Sequence, residues 1–129
     1  MNWKLNEDSP IYIQLMEQIK AGIVSGEFPP GERLPSVREL AAEAGVNPNT
    51  MQRAFSELER ENLVLSQRTA GRFVTTDETT IDQTRRELAG QYIRGFLSAM
   101  EALGYSREDS ILLLSQTPLE RSTYGNSGM

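Results

Sequence analysis

The sequence predicts a mainly α-helical protein with one small β-hairpin, which divides an N-terminal group of three helices from a C-terminal pair. Three observations lead there. Apolar residues recur at steps of three and four over most of the 129 residues. Ser or Asn starts, proline punctuation and glycine stops cut that pattern into separate helices. Between Leu63 and Val74 the helical spacing gives way to two short β-favouring runs about a polar connection.

Taken in order, Ser9 reads as an N-cap with Pro10 at the first helical position, and Tyr12, Leu15, Met16, Ile19 and Ile23 follow on one face until Gly26 stops the helix. Phe28-Pro29-Pro30-Gly31 cannot continue it, because proline lacks the amide donor, so a loop leads to a short extended Arg33-Leu34-Pro35. Ser36 with Glu39 three residues on forms a capping box for a second helix, whose inward stripe is Val37, Leu40, Ala41 and Ala44 and whose stop is Gly45. After Val46, Asn47 caps a third helix with Pro48 at its first position. Met51, Ala54, Phe55 and Leu58 face inward there, leaving Asn49, Gln52, Arg53, Ser56 and Arg60 outward. Two short helices about a tight glycine turn, with polar side chains at the start of the second, form the arrangement by which helix-turn-helix proteins reach DNA bases.

Leu63-Val64-Leu65 and Arg72-Phe73-Val74 read as the two strands of a hairpin, or wing, joined by residues 66 to 71. Two strands alone are marginal, so Arg33-Leu34 is expected to add a third. Thr75 to Thr80 is polar and reads as a hinge, giving a first domain over residues 1–76 and a helical unit over 77–129. From about Ile81 to Leu103 there is no proline, and Ala89, Ile93, Phe96, Met100 and Leu103 alternate steps of four and three, the spacing of a helix seam. Leu88, Tyr92 and Leu97 widen that seam to more than one helix usually buries against a single neighbour. Gly104-Tyr105 ends the helix, Ser106 with Asp109 starts a short one through Ile111 to Leu114, and Ser115 to Met129 reads as a frayed tail.

Composition narrows the chemistry. Cysteine and histidine are both absent, which removes disulfides, thiolate catalysis, the usual zinc sites and an imidazole base. No Walker lysine loop, G-x-S-x-G or G-x-G-x-x-G is present, so neither an enzyme nor a bound cofactor is expected. No apolar run approaches a membrane span of about 20 residues, and a soluble, cytoplasmic protein without membrane contact is expected. The net charge of −5 is unusual for a DNA binder. Its distribution softens the objection: residues 1 to 32 and 77 to 129 each sum to −3, whereas residues 33 to 76 carry six arginines against five glutamates. Glu57, Glu59 and Glu61 lie at the far end of the third helix, away from the end that would enter a groove.

Several stretches resemble the GntR family of bacterial transcription regulators, and the chain's layout is similar to the short YtrA-type branch. They are Pro10-Ile11-Tyr12, Gly31 with Leu34 to Ala41, Val46 to Thr50, Arg53-Ala54-Phe55 with Leu58-Glu59, and Gly71 to Val74. The resemblance covers roughly residues 9 to 76 in ordered detail. It implies a winged helix-turn-helix followed by a two-helix dimerisation unit, and a homodimeric repressor, commonly of a transporter operon. It places DNA contacts on Arg38, Asn47, Asn49, Thr50, Gln52 and Gly71. Many relatives have two glycines flanking a basic residue in the wing, whereas this chain has Thr69-Ala70-Gly71, so a wing-tip cation would come from Arg68 or Arg72.

Each site residue also has a plainer reading. Arg38 could fork onto phosphate or guanine, or simply lie on a solvated face beside Glu39. Asn47 and Thr50 could be first-turn capping residues, although free amides at a helix start also attract phosphate. Asn49 and Gln52 are the better base readers, because a carboxamide can pair with an adenine edge. Arg53 and Arg60 suit the DNA backbone or pairing with Glu57. Arg68 and Arg72 could touch phosphate or guard an edge strand. Trp3, Tyr12 and Tyr105 are expected in cores rather than ligand pockets. The reading that follows is a sequence-specific regulator binding double-stranded DNA as a homodimer at an inverted repeat, with no effector specified. Its rival is a winged-helix module that binds proteins and avoids DNA.

Overall fold

The computed structural model describes residues 1–119. Its elements are α1 (Ile11–Ser25), α2 (Val37–Ala44), α3 (Pro48–Arg60), β1 (Val64–Gln67), β2 (Gly71–Val74), α4 (Glu78–Ala102) and α5 (Arg107–Gln116). This is the mainly helical winged helix-turn-helix with a C-terminal helix pair that the sequence predicts. The chain divides into two compact units, one from Met1 to Ala89 and one from Gly90 onward.

In the first unit α3 is the central element, packing on α1, α2 and β1. Its inward stripe of Met51, Ala54, Phe55 and Leu58 is completely buried, and Leu15 and Ile19 of α1, Ala41 of α2 and Leu63 share that core. Burying each large apolar side chain contributes about 1.5–3 kcal/mol, so α3 is held by packing more than by helical preference. Trp3 packs on the same core and its Nε1 donates to Glu43 at 2.8 Å. With the bond from the N-terminal amine, this holds the Glu43 carboxyl below its ordinary range.

Gly45 fixes the angle between α2 and α3. It ends α2 in the left-handed region at φ 74°, which a side chain would resist. Its amide donates to Ala42 O at 3.3 Å and that of Val46 to Ala41 O at 3.0 Å, closing the last turn. Asn47 then caps α3 by accepting from Asn49 N at 2.7 Å, with Pro48 in the first turn as expected.

Several expectations change. Ser9 does not cap α1: Pro10 is itself the cap residue, with extended backbone and no side-chain bond. The buried Gln14 ties the entry instead, donating to Ser9 O at 2.7 Å and Asn6 O at 2.9 Å while accepting from Asn6 N at 2.9 Å. The third strand shrinks to one antiparallel bridge, Arg33 with Phe73, because Pro35 has no amide to extend the ladder. The first strand runs further along than predicted, to Gln67, and the second begins one residue earlier, at Gly71; Val64 pairs with Val74 and Gln67 with Gly71, which leaves a three-residue connection. Thr75 to Thr80 is not a free hinge. Thr75 is buried with its amide on Leu63 O, and Asp77 starts α4 at Glu78 by accepting from Thr79 N at 3.0 Å. Ile81, Thr84 and Leu88 are then buried in the first unit, so the boundary falls after Ala89 rather than after residue 76.

From Gly90 onward the picture differs. Ser106 and Asp109 close the predicted capping box of α5, Ser106 Oγ accepting from Asp109 N at 3.0 Å. The helix runs on to Gln116, past the expected stop at Leu114. The remainder of the expected frayed tail, from residue 120, lies outside the described residues. Among the described residues of this unit only Ser110 is buried, while Tyr92, Ile93, Leu103, Ile111, Leu112 and Leu114 stay more than half exposed.

Candidate nucleic-acid interface

The start of α3 presents its polar side chains as the periodicity predicts. Asn47 and Asn49 are exposed, and Thr50 and Gln52 are half-buried. Asn47 spends one acceptor on its cap and keeps its amide group free, so capping and contact with DNA are compatible. Arg53 is exposed and its guanidinium lies over the Tyr12 ring at 3.7 Å, a cation–π contact that orients it without neutralising it.

The three glutamates at the far end of α3 are each matched by a cation. Glu57 pairs with Arg60, Glu59 with Arg72 and Glu61 with Lys20, all at 2.8 Å. The Lys20 side chain reaches from α1, so the third of these pairs is a product of packing. Among the described residues, Arg33, Arg38, Arg53 and Arg68 enter no ion pair. The acidic composition is thereby answered locally: the glutamates of α3 are screened by partners, whereas four arginines of the same region retain a full, unpaired charge.

Arg38 is exposed on α2, in line with its expected place. The start of that helix carries the capping box, with Ser36 Oγ accepting from Glu39 N at 3.0 Å and Glu39 Oε1 accepting from Ser36 N at 2.9 Å. The Ser36 amide, then its hydroxyl, hold the Glu39 carboxyl below its ordinary range, with Arg33 adding a smaller pull.

The wing departs from expectation. Arg68 is exposed at its tip. Arg72 is not a free cation: its side chain is about one quarter exposed, its Nε donates to Glu59 Oε2 at 2.8 Å, and its guanidinium lies 5.4 Å from the Phe55 ring centre. The hairpin register places Arg72 opposite Ser66, on the face where its side chain meets α3, a long-range outcome invisible in local spacing.

Arg33 has a role the sequence left unassigned. Gly71 adopts φ 105°, and a Cβ there would lie 2.8 Å from Arg33 Nε, so glycine permits the guanidinium to rest against the wing backbone. A narrow cleft of about 80 Å³ runs beside it, lined by Leu34, Ser36 and Val37 as well as Gly71 and Arg72. The bridge between Arg33 and Phe73 brings this arginine to the wing. The only signal in the sequence was its place in the short extended run before Pro35.

Of the positions expected to form an interface seam, all but one keep solvent-accessible surface in the single chain. Ala89, Tyr92, Ile93, Phe96 and Leu103 are exposed and Leu97 and Met100 half-buried, but Leu88 is only 5% exposed in the single chain and has little surface left to offer a partner. Among the described residues no helix is long and apolar enough to cross a membrane.

Comparison with known proteins agrees with this geometry. Residues 11–74 match the family model for bacterial regulatory proteins of the gntR family. The HTH-type transcriptional regulator YhcF of Bacillus subtilis is 37% identical over 111 residues, which span 86% of this chain and 92% of that protein. The transcriptional repressor YtrA of the same organism is 42% identical over 72 residues, 56% of this chain and 55% of its own. Among solved structures, a GntR family regulator from Listeria monocytogenes superposes with a TM-score of 0.78 at 36% identity, covering 88% of this chain and all of that one. The DNA-binding domain of AraR in complex with its operator ORE1 gives 0.51 at 28% identity, over 58% of this chain and 94% of that one. With residues 11–74 matching the family model and relatives such as YhcF and the Listeria regulator matched over nearly their whole length, the chain belongs to the GntR family, in its YtrA-type branch, and is a DNA-binding transcription regulator.

Proposed function

We propose that this regulator acts as a homodimeric repressor, each subunit laying the start of α3 in a major groove of one half of an inverted repeat. Asn49 and Gln52 are assigned to base edges, Asn47 and Thr50 to the groove wall, and Arg38, Arg53 and Arg68 to phosphate. The observation that carries the reading is the carboxamide-bearing start of α3, with Asn47 and Asn49 exposed, in a region where Arg38, Arg53 and Arg68 enter no ion pair. Half-site centres are expected about one helical turn, roughly 10 bp, apart or a multiple of that.

The partner copy is argued from the C-terminal helices. Among the described residues, Tyr92, Ile93 and Phe96 of α4 and Leu103 just after it stay exposed at the spacing of a helix seam, and apolar side chains exposed in such a group mark an interaction face. A second copy supplies an identical seam, and two linked modules gain affinity through effective concentration. The YtrA-type affiliation supports a transporter operon as target and a cytoplasmic place of action.

Genome-wide mapping of bound fragments, followed by affinity measurement on the recovered motif, tests the proposal. Asn49→Ala or Gln52→Ala is expected to cost about 1–3 kcal/mol on that motif with little effect on random DNA, whereas Arg68→Ala should weaken both and reduce the salt slope by about one. Equal losses on both DNAs for all three variants would refute base reading by α3.

A further inference from the structure

The ion pair between Arg72 and Glu59 has a third member. Arg72 Nη2 donates to Gln52 Oε1 at 3.4 Å, and Gln52 Nε2 donates to Ser56 Oγ at 3.3 Å. These two contacts are long and individually weak, but they donate in one direction, from the guanidinium to the carboxamide and from the carboxamide to the hydroxyl, while the guanidinium donates separately to the Glu59 carboxylate. Turning the carboxamide over would set its NH2 group against the guanidinium, donor against donor, so the charge of Arg72 selects one orientation. Glu59 in turn fixes Arg72 through the shorter bond of 2.8 Å, and the Phe55 ring backs the guanidinium.

Counting donors and acceptors shows what remains available. The carboxamide has two acceptor sites and two hydrogens, and the network uses one of each. One lone pair on Oε1 and one hydrogen on Nε2 are left, the combination that pairs with the N6 amino group and N7 of adenine. A free glutamine would present either face and would lose side-chain freedom on binding.

We propose that Arg72 is a positioning residue for sequence recognition, not a phosphate contact: held by Glu59, it sets the Gln52 carboxamide in the orientation that reads a base. The inference rests on the reading that Gln52 meets a base edge, and it moves a wing arginine from general DNA affinity to sequence preference. Lysine would not replace it, because a point charge on a flexible stem cannot hold Glu59 and Gln52 through one planar fork.

The test uses the full chain with two probes, the duplex that the unmodified protein selects from a randomised pool and a shuffled duplex of the same composition. Preference is the ratio of the two affinities. Gln52→Ala should lower it about tenfold or more, and Arg72→Ala and Arg72→Lys should approach that loss without changing the salt slope on the shuffled duplex. With alanine already at 52, Arg72→Ala should remove less than about a further twofold, the signature of two residues acting as one. Glu59→Gln should also lower preference while slightly raising affinity for shuffled DNA, since it frees a cation.

Independent losses from Gln52→Ala and Arg72→Ala, or a salt slope reduced by about one in Arg72→Ala, would overturn the positioning role and leave base reading by Gln52 intact. An unchanged preference in Gln52→Ala would instead remove the reading on which the inference stands. Side-chain amide relaxation of Gln52 in the DNA-free protein gives a separate check, with melting curves confirming that the variants fold. Its mobility should rise in Arg72→Ala and Glu59→Gln, and unaltered mobility would show that no such network orients it.

Discussion

The helices before and after Ala89 use their apolar residues in opposite ways. In the first unit Leu15, Ile19, Phe55 and Leu58 are completely buried, and α3 is covered by α1, α2 and the start of the hairpin. Beyond Gly90, Tyr92, Ile93 and Leu103 are 64%, 56% and 73% exposed, and Ser110 alone among the described residues is buried. The first set has found its core within one chain. The second set stays open to solvent among the described residues, and the proposed second copy rests on that.

Breaking each surface should have a different kind of consequence. The largest effect is expected from Phe55→Ala, which leaves a cavity at the centre of the first unit and should cost about 3–5 kcal/mol. Chemical denaturation would show it as a lower midpoint at every protein concentration. Phe96→Asp should weaken self-association by about a hundredfold or more, because a seam cannot close over an unpaired charge. Sedimentation should then find single chains, with melting no longer dependent on concentration, while the first unit keeps its fold. A variant that still forms dimers would exclude the α4 seam as the interface.

The two capping boxes offer the gentlest contrast. Ser36→Ala removes a cap from a helix that is also packed on α3, and Ser106→Ala removes the same device from α5, where Ser110 is its only buried residue. Each should cost about 1 kcal/mol. The first should lower the melting temperature of the winged unit, whereas the second should fray α5 locally in hydrogen exchange and leave that temperature unchanged.

The α2 box also carries a pH dependence. Because its folded state holds the Glu39 carboxyl below the ordinary value of 4.5, its stabilisation is present above that value and fades as pH falls through the depressed one. Glu39→Gln should flatten that acid limb, measured as midpoint against pH.

Legibility in the sequence followed how local the cause was. The capping boxes at Ser36 and Ser106, the stop at Gly45, the cap at Asn47 and the inward stripe of α3 all depend on neighbours within one turn, and all stand where the spacing put them. The same holds for the exposed start of α3, the centre of the proposed interface. Ser9 is not the cap because the helix begins only at Ile11, with Pro10 at the cap position, and the Ser9 carbonyl instead accepts from Gln14. The third strand was cut to one bridge by the proline after it, and the polar segment from Thr75 was drawn into the first unit by the burial of Thr75 and by Ile81 in its core.

What the sequence determined by itself was the order of helices and hairpin, the outward face of α3 and the apolar seam of α4, since each arises from periodicity and short-range hydrogen bonding. Tertiary structure alone decided which charges are spoken for. Lys20 with Glu61, Arg72 with Glu59 and Gln52, and Arg33 against Gly71 join residues from different elements. No local pattern contains those pairings, because they exist only once the core has brought helices and wing together.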